Sequence, residues 1–149
     1  MDVPTVLIVE DSRNDRYLFE RAMEKAKLAN RFHFAVDGLD AIRYFSGEGK
    51  YSDRAIYAMP ALVLLDYHMP VMSGPEVLHW MRAHEQFKKI PVVMMTATAD
   101  EWEIKRATES GADDYLRKPG DLAGMVRLIE ELPLRWAFLP EPSAAPSAR

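Results

Sequence analysis

The sequence predicts an α/β protein built on one doubly wound, five-stranded parallel sheet. Five short apolar runs each lead into a segment with helical periodicity, which is the alternation typical of such sheets. The run from Ala61 to Leu65 is apolar throughout, which indicates a strand buried on both faces. Polar residues follow the runs, and a parallel sheet brings the ends of its strands to one edge.

The first half of the chain contains two strand–helix units. Thr5 to Val9 predicts a buried strand, and Ser12 is suited to cap a helix predicted from Arg13 to Ala29. A second strand is expected from Phe32 to Val36, and a short helix from Leu39 to Ser46.

The second half contains the other three units, after an irregular stretch from Gly47 to Pro60 that we interpret as a loop insertion. The strands are expected at Ala61–Leu65, ending on Asp66, at Pro91–Met95, ending on Thr96, and at Tyr115–Leu116. Their helices begin after Ser73-Gly74-Pro75, at Asp100 and after the capping residue Asp121, and the last ends at Pro133.

Composition excludes several classes of protein. The formal charge is −4 without a basic run, so nucleic acid is not an expected partner. The chain has no cysteine, which excludes disulfides and thiolate metal sites. The apolar run near the N-terminus is too short for a signal peptide or a membrane span, so we expect a cytoplasmic protein with no membrane partner.

The chain is expected to divide into one domain and a tail. Residues 1–133 form the domain, 134–140 form an apolar C-terminal extension, and 141–149 form a disordered Pro/Ala/Ser-rich tail. The 17 residues from Pro133 to Arg149 are too few for a second domain, so no output domain is expected.

Five chemically active residues follow the predicted strands. They are Glu10, Asp11, Asp66, Thr96 and Lys118. Carboxylates brought together repel one another, and Mg²⁺ relieves this by binding a few carboxylates together with waters and phosphate oxygens. A carboxylate can also act as a nucleophile toward a phosphoryl group, whose oxygens a hydroxyl and an ammonium group could bind.

The motifs that contain these residues carry a family resemblance from about Thr5 to Leu132. They are Glu10-Asp11, Leu65-Asp66-Tyr67-His68-Met69-Pro70 with Gly74, Thr96-Ala97 and Lys118-Pro119. Thr96 stands 30 positions after Asp66, and Lys118 stands 22 positions after Thr96, as in that family. The sequence resembles the CheY-like receiver domain of bacterial response regulators.

The resemblance implies a flavodoxin-like (βα)5 fold with strand order 2-1-3-4-5 and a phosphoacceptor signalling domain, not an enzyme. Asp66 would accept the phosphoryl group from a histidine kinase or a phosphotransfer protein. Mg²⁺ would be bound by Glu10, Asp11, Asp66 and the backbone carbonyl of His68, while the His68 side chain controls access of water.

The remaining family residues imply a switch. Thr96 would hydrogen-bond the phosphoryl group and Lys118 would pair with it, while Tyr115 turns inward as Thr96 moves. The resemblance also implies a cis peptide at Lys118–Pro119.

The Gly47–Pro60 insertion, the Lys88–Val93 segment and the C-terminal extension resemble the stand-alone regulators that are paired with bacterial phytochrome histidine kinases. This resemblance implies a homodimer that forms through the last two helices and the Leu134–Leu139 extension.

Other interpretations of these residues stay open. Asp66 could be a turn residue at a strand end, Glu10-Asp11 could simply precede a helix N-terminus, and Tyr115 could pack in the core. An aspartyl-nucleophile phosphatase would need a second Asp where His68 stands, and a flavodoxin-like cofactor protein would need an uncharged phosphate loop after the first strand. A receiver-like protein could also bind its partners without being phosphorylated.

The dimer can be tested by truncation. We expect the full chain to have the mass of a dimer and a chain ending at Pro133 to lose mass toward the monomer, as measured by size-exclusion chromatography with light scattering. An unchanged mass would contradict the extension's role, because Trp136 and Phe138 would then pack on their own domain.

Overall fold

The computed structural model of the chain describes residues 3–97 and 100–131. The predicted C-terminal extension, with Trp136 and Phe138, and the tail lie outside the described residues. No helix within the described ranges is long and apolar enough to cross a membrane.

Strands and helices alternate along the described chain. The strands are β1 (Thr5–Val9), β2 (Arg31–Ala35), β3 (Leu62–Asp66), β4 (Val92–Thr96) and β5 (Asp114–Arg117). The helices are α1 (Arg13–Ala26), α2 (Gly38–Ser46), α3 (Gly74–Arg82), α4 (Glu101–Glu109) and α5 (Leu122–Glu131). The strands form one parallel sheet in the order β2-β1-β3-β4-β5, which confirms the predicted fold.

Two hydrophobic clusters, one on each face of the sheet, explain why β1, β3 and β4 each have four consecutive apolar residues. Side chains alternate between the faces of a strand, so neighbours such as Leu7 and Ile8 belong to different clusters. One cluster contains residues of α2, α3 and α4, and the other contains residues of α1 and α5. All five residues of each of these three strands are buried, as expected for a doubly wound sheet.

Two predictions about local structure were wrong. Helix α1 ends at Ala26 rather than Ala29, because Lys27 adopts a left-handed conformation (φ 52°) and caps the helix. All peptide bonds among the described residues are trans, including Lys118–Pro119, in keeping with the preference of X–Pro bonds for the trans form.

The segment from Gly47 to Pro60 is more ordered than the predicted loop insertion. It contains a 3-10 helix at Gly49–Ser52, and Tyr51 within it is only 2% exposed. The Tyr51 hydroxyl donates to Asp40 Oδ1 at 2.9 Å, and its ring lies 5.0 Å from that of Tyr44. Burial, together with the hydrogen bond to Asp40, raises the pKa of Tyr51. Tyr51 therefore anchors the segment in the core.

Substitution of Tyr51 tests this conclusion. Tyr51→Ala is expected to lower the free energy of unfolding by about 3–5 kcal/mol, since a large buried ring is removed. Tyr51→Phe keeps the ring and should cost about 1 kcal/mol, while the exposed Ser52→Ala serves as the control. Urea denaturation measures all three, and a cost for Tyr51→Ala no greater than that for Ser52→Ala would show that the segment lies outside the core.

Candidate functional site

The site lies at the carboxyl edge of the sheet, where four neighbouring strands end. Glu10 follows β1, Asp66 ends β3, Thr96 ends β4 and Lys118 follows β5. The strand register sets Asp66 beside Met95, and the Lys118 backbone N–H donates to the Thr96 carbonyl at 2.7 Å. Backbone pairing alone therefore brings these residues to one edge.

Three carboxylates form a cluster that fits a hard divalent cation. One oxygen from each of Glu10, Asp11 and Asp66 lies within 4.8 Å of the others, and Glu10 and Asp66 are buried. Magnesium prefers such oxygen ligands and retains waters in its remaining positions. The described part of the chain thus holds a donor set suited to Mg²⁺.

Lys118 supplies a positive charge to this cluster. Its Nζ lies 2.8 Å from Glu10 Oε1, 2.9 Å from Asp15 Oδ2 and 3.5 Å from Asp66 Oδ2. Burial alone would lower the pKa of Lys118, but hydrogen bonds to Glu10 and Asp15, with the charge of Asp66, raise it overall. The ammonium group therefore stays charged although it is only 9% exposed.

Asp66 is the carboxyl group that is most strongly perturbed by its surroundings. Burial and the nearby Glu10 carboxylate raise the pKa of Asp66 to about 8, while Lys118 opposes both effects. Without a cation the site therefore favours a protonated Asp66, and a bound cation would favour the ionised form.

The backbone around Asp66 is fixed by the first turn of α3. A Cβ on Gly74 would collide with the Asp66 carbonyl oxygen, so only glycine allows this close approach. The Gly74 N–H donates to the Tyr67 carbonyl at 2.9 Å. Ser73 and Glu76 complete a capping box at the same helix end, which makes α3 a firm support for the end of β3.

The backbone around Glu10 is fixed by the first turns of α1. Arg16 Nη1 donates to the Glu10 carbonyl at 2.7 Å, and the Ser12 N–H donates to Glu10 Oε2 at 3.1 Å. Ser12 in turn caps α1 by accepting from the Asp15 N–H. The carboxylate of Glu10 is therefore oriented by both its neighbours and Lys118.

Thr96 and His68 meet at a further carboxylate, that of Glu103 in the first turn of α4. The Thr96 hydroxyl donates to Glu103 Oε1, and His68 Nε2 lies 2.9 Å from the same oxygen. The His68 side chain is 70% exposed, whereas that of Glu103 is only 12% exposed. The loop after β3, the end of β4 and helix α4 are thus joined at one atom.

Tyr115 lies in β5 opposite Met94 and packs, partly buried, against the cluster that contains Met94 and Ala107. This contact is the packing interpretation that the sequence left open. An inward movement of the ring on phosphorylation stays a prediction.

Sequence reasoning missed two site residues, Asp15 and Glu103. Both lie in the first turn of a helix, where a carboxylate is favoured by the helix dipole and so has a local explanation. The signal that could have found them is position, because each follows a strand end by only a few residues.

The doubly wound sheet, with acids and a buried ammonium at its carboxyl edge, defines an α/β domain whose acid cluster suits a divalent cation. The family model described as the response regulator receiver domain matches residues 6–130. The chain therefore belongs to the response regulator receiver domain family, whose members are signalling domains that bind Mg²⁺ or Mn²⁺ at an acidic site.

Three solved structures illustrate the similarity. The Mn(2+)-bound response regulator Rcp1 of Synechocystis sp. has 26% identity and a TM-score of 0.77, over 97% of this chain and 99% of that chain. The phosphorylated cyanobacterial phytochrome response regulator RcpA has 25% identity and a TM-score of 0.79, over 98% and 100%. The bacteriophytochrome response regulator AtBRR has 34% identity and a TM-score of 0.75, over 93% and 99%. The predicted resemblance to regulators of phytochromes is confirmed.

The burial of Asp66 predicts a pH-dependent stability. Its folded pKa of about 8 lies above the ordinary 3.8, so its contribution is full below about pH 4 and is lost as the pH rises through about 8. Without divalent cations, Asp66→Asn should therefore have a higher melting temperature than the wild type at about pH 9, with the difference shrinking toward about pH 5.

Differential scanning calorimetry measures this difference. Glu130→Gln, which removes an exposed carboxylate from α5, is the control and should not change the pH dependence. Added Mg²⁺ should stabilise the wild type more than Asp66→Asn, since it binds the folded acid cluster. Parallel pH profiles for wild type and Asp66→Asn would contradict the raised pKa.

Proposed function

We propose that this chain is a two-component response regulator in which Asp66 accepts a phosphoryl group from a histidine kinase. The observation that supports it best is the arrangement of Glu10, Asp11 and Lys118 around a buried Asp66. In this proposal Mg²⁺ is bound by Glu10, Asp11, Asp66 and the backbone carbonyl of His68. A bound cation supplies positive charge to the oxygens of the transferred group.

The transfer is an exchange of bonds at phosphorus. A carboxylate oxygen of Asp66 forms the new O–P bond while the N–P bond of a phosphohistidine breaks, and the histidine nitrogen keeps the electron pair. Lys118 is 3.5 Å from Asp66 Oδ2 and pairs with the oxygens that the phosphoryl group brings. The Thr96 hydroxyl donates a hydrogen bond to another of these oxygens.

Partner proteins detect the charge placed on Asp66 as a change in the surface of the domain. Phosphorylation adds negative charge and acceptor oxygens, which bias Thr96, Tyr115 and helix α4 toward a second arrangement. The domain assists its own phosphorylation and dephosphorylation and acts on protein partners, either by binding them or by relaying the group to a phosphotransfer protein.

The kinase that we propose is a bacterial phytochrome in the cytoplasm. Two of the similar structures, RcpA and AtBRR, are response regulators of phytochromes, and both align with more than nine tenths of this chain. We also propose a homodimer through α4, α5 and the C-terminal extension. Trp102 supports it, since this large apolar residue of α4 is 63% exposed.

Phosphorylation can be measured directly. With Mg²⁺ and a small phosphodonor such as acetyl phosphate, the wild type should gain the mass of one phosphoryl group, and Asp66→Asn should gain none. Asp53→Asn, which changes an exposed aspartate outside the site, should behave as the wild type. Chelation of Mg²⁺ should abolish the adduct.

A second donor, an autophosphorylated bacterial phytochrome, separates the two parts of the proposal. If neither donor gives an adduct, the phosphoacceptor function is refuted. An adduct with the small donor alone would refute the pairing with phytochrome and leave the phosphoacceptor function standing.

A further inference from the structure

Glu103 connects the candidate site to helix α4 through its side chain. It belongs to the first turn of α4, yet its carboxylate is only 12% exposed and lies against Thr96 and His68. The neighbouring residues Glu101 and Trp102 are exposed. Glu103 therefore faces the site, whereas its two neighbours in the same helical turn face solvent.

The hydrogen bond between Thr96 and Glu103 has a defined direction. A carboxylate can only accept hydrogen bonds, so the Thr96 hydroxyl is the donor and Glu103 Oε1 is the acceptor. Thr96 is only 1% exposed, which shields this bond from water. Hydrogen bonds to an ionised acceptor are stronger than those between neutral groups.

A phosphoryl group on Asp66 would accept a hydrogen bond from the same Thr96 hydroxyl. Its oxygens also accept and do not donate when they are ionised, and the hydroxyl of Thr96 has one proton to give. Thr96 can therefore bond to Glu103 or to the phosphoryl group, but it cannot donate fully to both. The two arrangements exclude each other.

We propose that Glu103 is a positioning residue that opposes phosphorylation of Asp66 by competing with the phosphoryl group for the hydroxyl proton of Thr96. This inference rests on the proposed function of Asp66 and Thr96. When Thr96 turns to the phosphoryl group, Glu103 loses this hydrogen bond, and α4 loses one of its contacts with the site. The first turn of α4, with the exposed Trp102, is then the surface that changes.

The experiment uses beryllofluoride with Mg²⁺, a stable mimic of a phosphoryl group on a carboxylate, and measures its affinity by isothermal titration calorimetry. Glu103→Ala is expected to bind it about tenfold more tightly than the wild type, which corresponds to about 1.4 kcal/mol. Glu101→Ala removes an exposed carboxylate from the same helical turn and is the matched control, with an expected change below about twofold.

A double-mutant cycle separates competition from a general effect of charge or folding. In a Thr96→Val background no hydroxyl proton exists, so Glu103→Ala should no longer change the affinity. In a Thr96→Ser background the hydroxyl is present, and the gain from Glu103→Ala should return. Thermal unfolding verifies that each variant is folded.

The outcomes distinguish this inference from the function on which it rests. An equal gain from Glu103→Ala with Thr96 and with Val at this position would overturn competition in favour of simple charge repulsion. No gain in a wild-type background that binds beryllofluoride would also overturn it while leaving the phosphoacceptor function intact. A wild type that neither binds beryllofluoride nor forms an adduct would overturn both.

Discussion

The burial of one ammonium group among carboxylates is the interaction on which the site depends. Lys118 is 9% exposed, and its main partner Glu10 is fully buried, so neither charge can be satisfied by bulk water. Removing either Lys118 or Glu10 leaves the other charge buried without compensation, at a cost of about 3–5 kcal/mol. The fold meets this constraint by ending β1, β3 and β5 at the same edge and by fixing Glu10 through Arg16 and Ser12. The same arrangement suits a divalent cation, since three carboxyl groups lie close together and a cation would favour their ionised forms.

Helix α4 is less firmly anchored than α3, so a change at the site is expected to move α4 rather than α3. Four residues of α3 are buried, among them Gly74 against the Asp66 backbone, whereas Ala107 is the buried residue of α4. An element with few buried apolar contacts opens at a lower free energy than a well-packed one. A change of charge at Asp66 therefore meets a rigid support on the α3 side and a compliant helix on the α4 side. The contacts of Glu103 with Thr96 and His68 join that compliant helix to the site.

The sequence was sufficient to predict the fold and the strand-end residues, because both follow from simple regularities. The spacing of apolar residues and their continuous runs identify the buried strands. The parallel arrangement of the strands then places Glu10, Asp66 and Lys118 together. The contacts of Asp15 and Glu103 could not be predicted, since an acid in a first helical turn is already explained by the helix dipole. The buried position of Tyr51 was hidden in the same way, because glycine and serine around it are typical of a loop. In each case the decisive contact joins residues of different elements, which periodicity does not report.

The bond between Lys118 and Glu10 links residues that are 108 positions apart, nearly the whole length of the sheet-forming chain. Closing a loop of this length costs conformational entropy, and contacts of high sequence separation slow folding. During synthesis the acids of β1 and β3 leave the ribosome long before the lysine after β5. A nascent chain therefore carries Asp66 without the ammonium group that lies beside it in the folded domain. The acid cluster gains its ammonium partner only when β5 and the lysine that follows it have been synthesised.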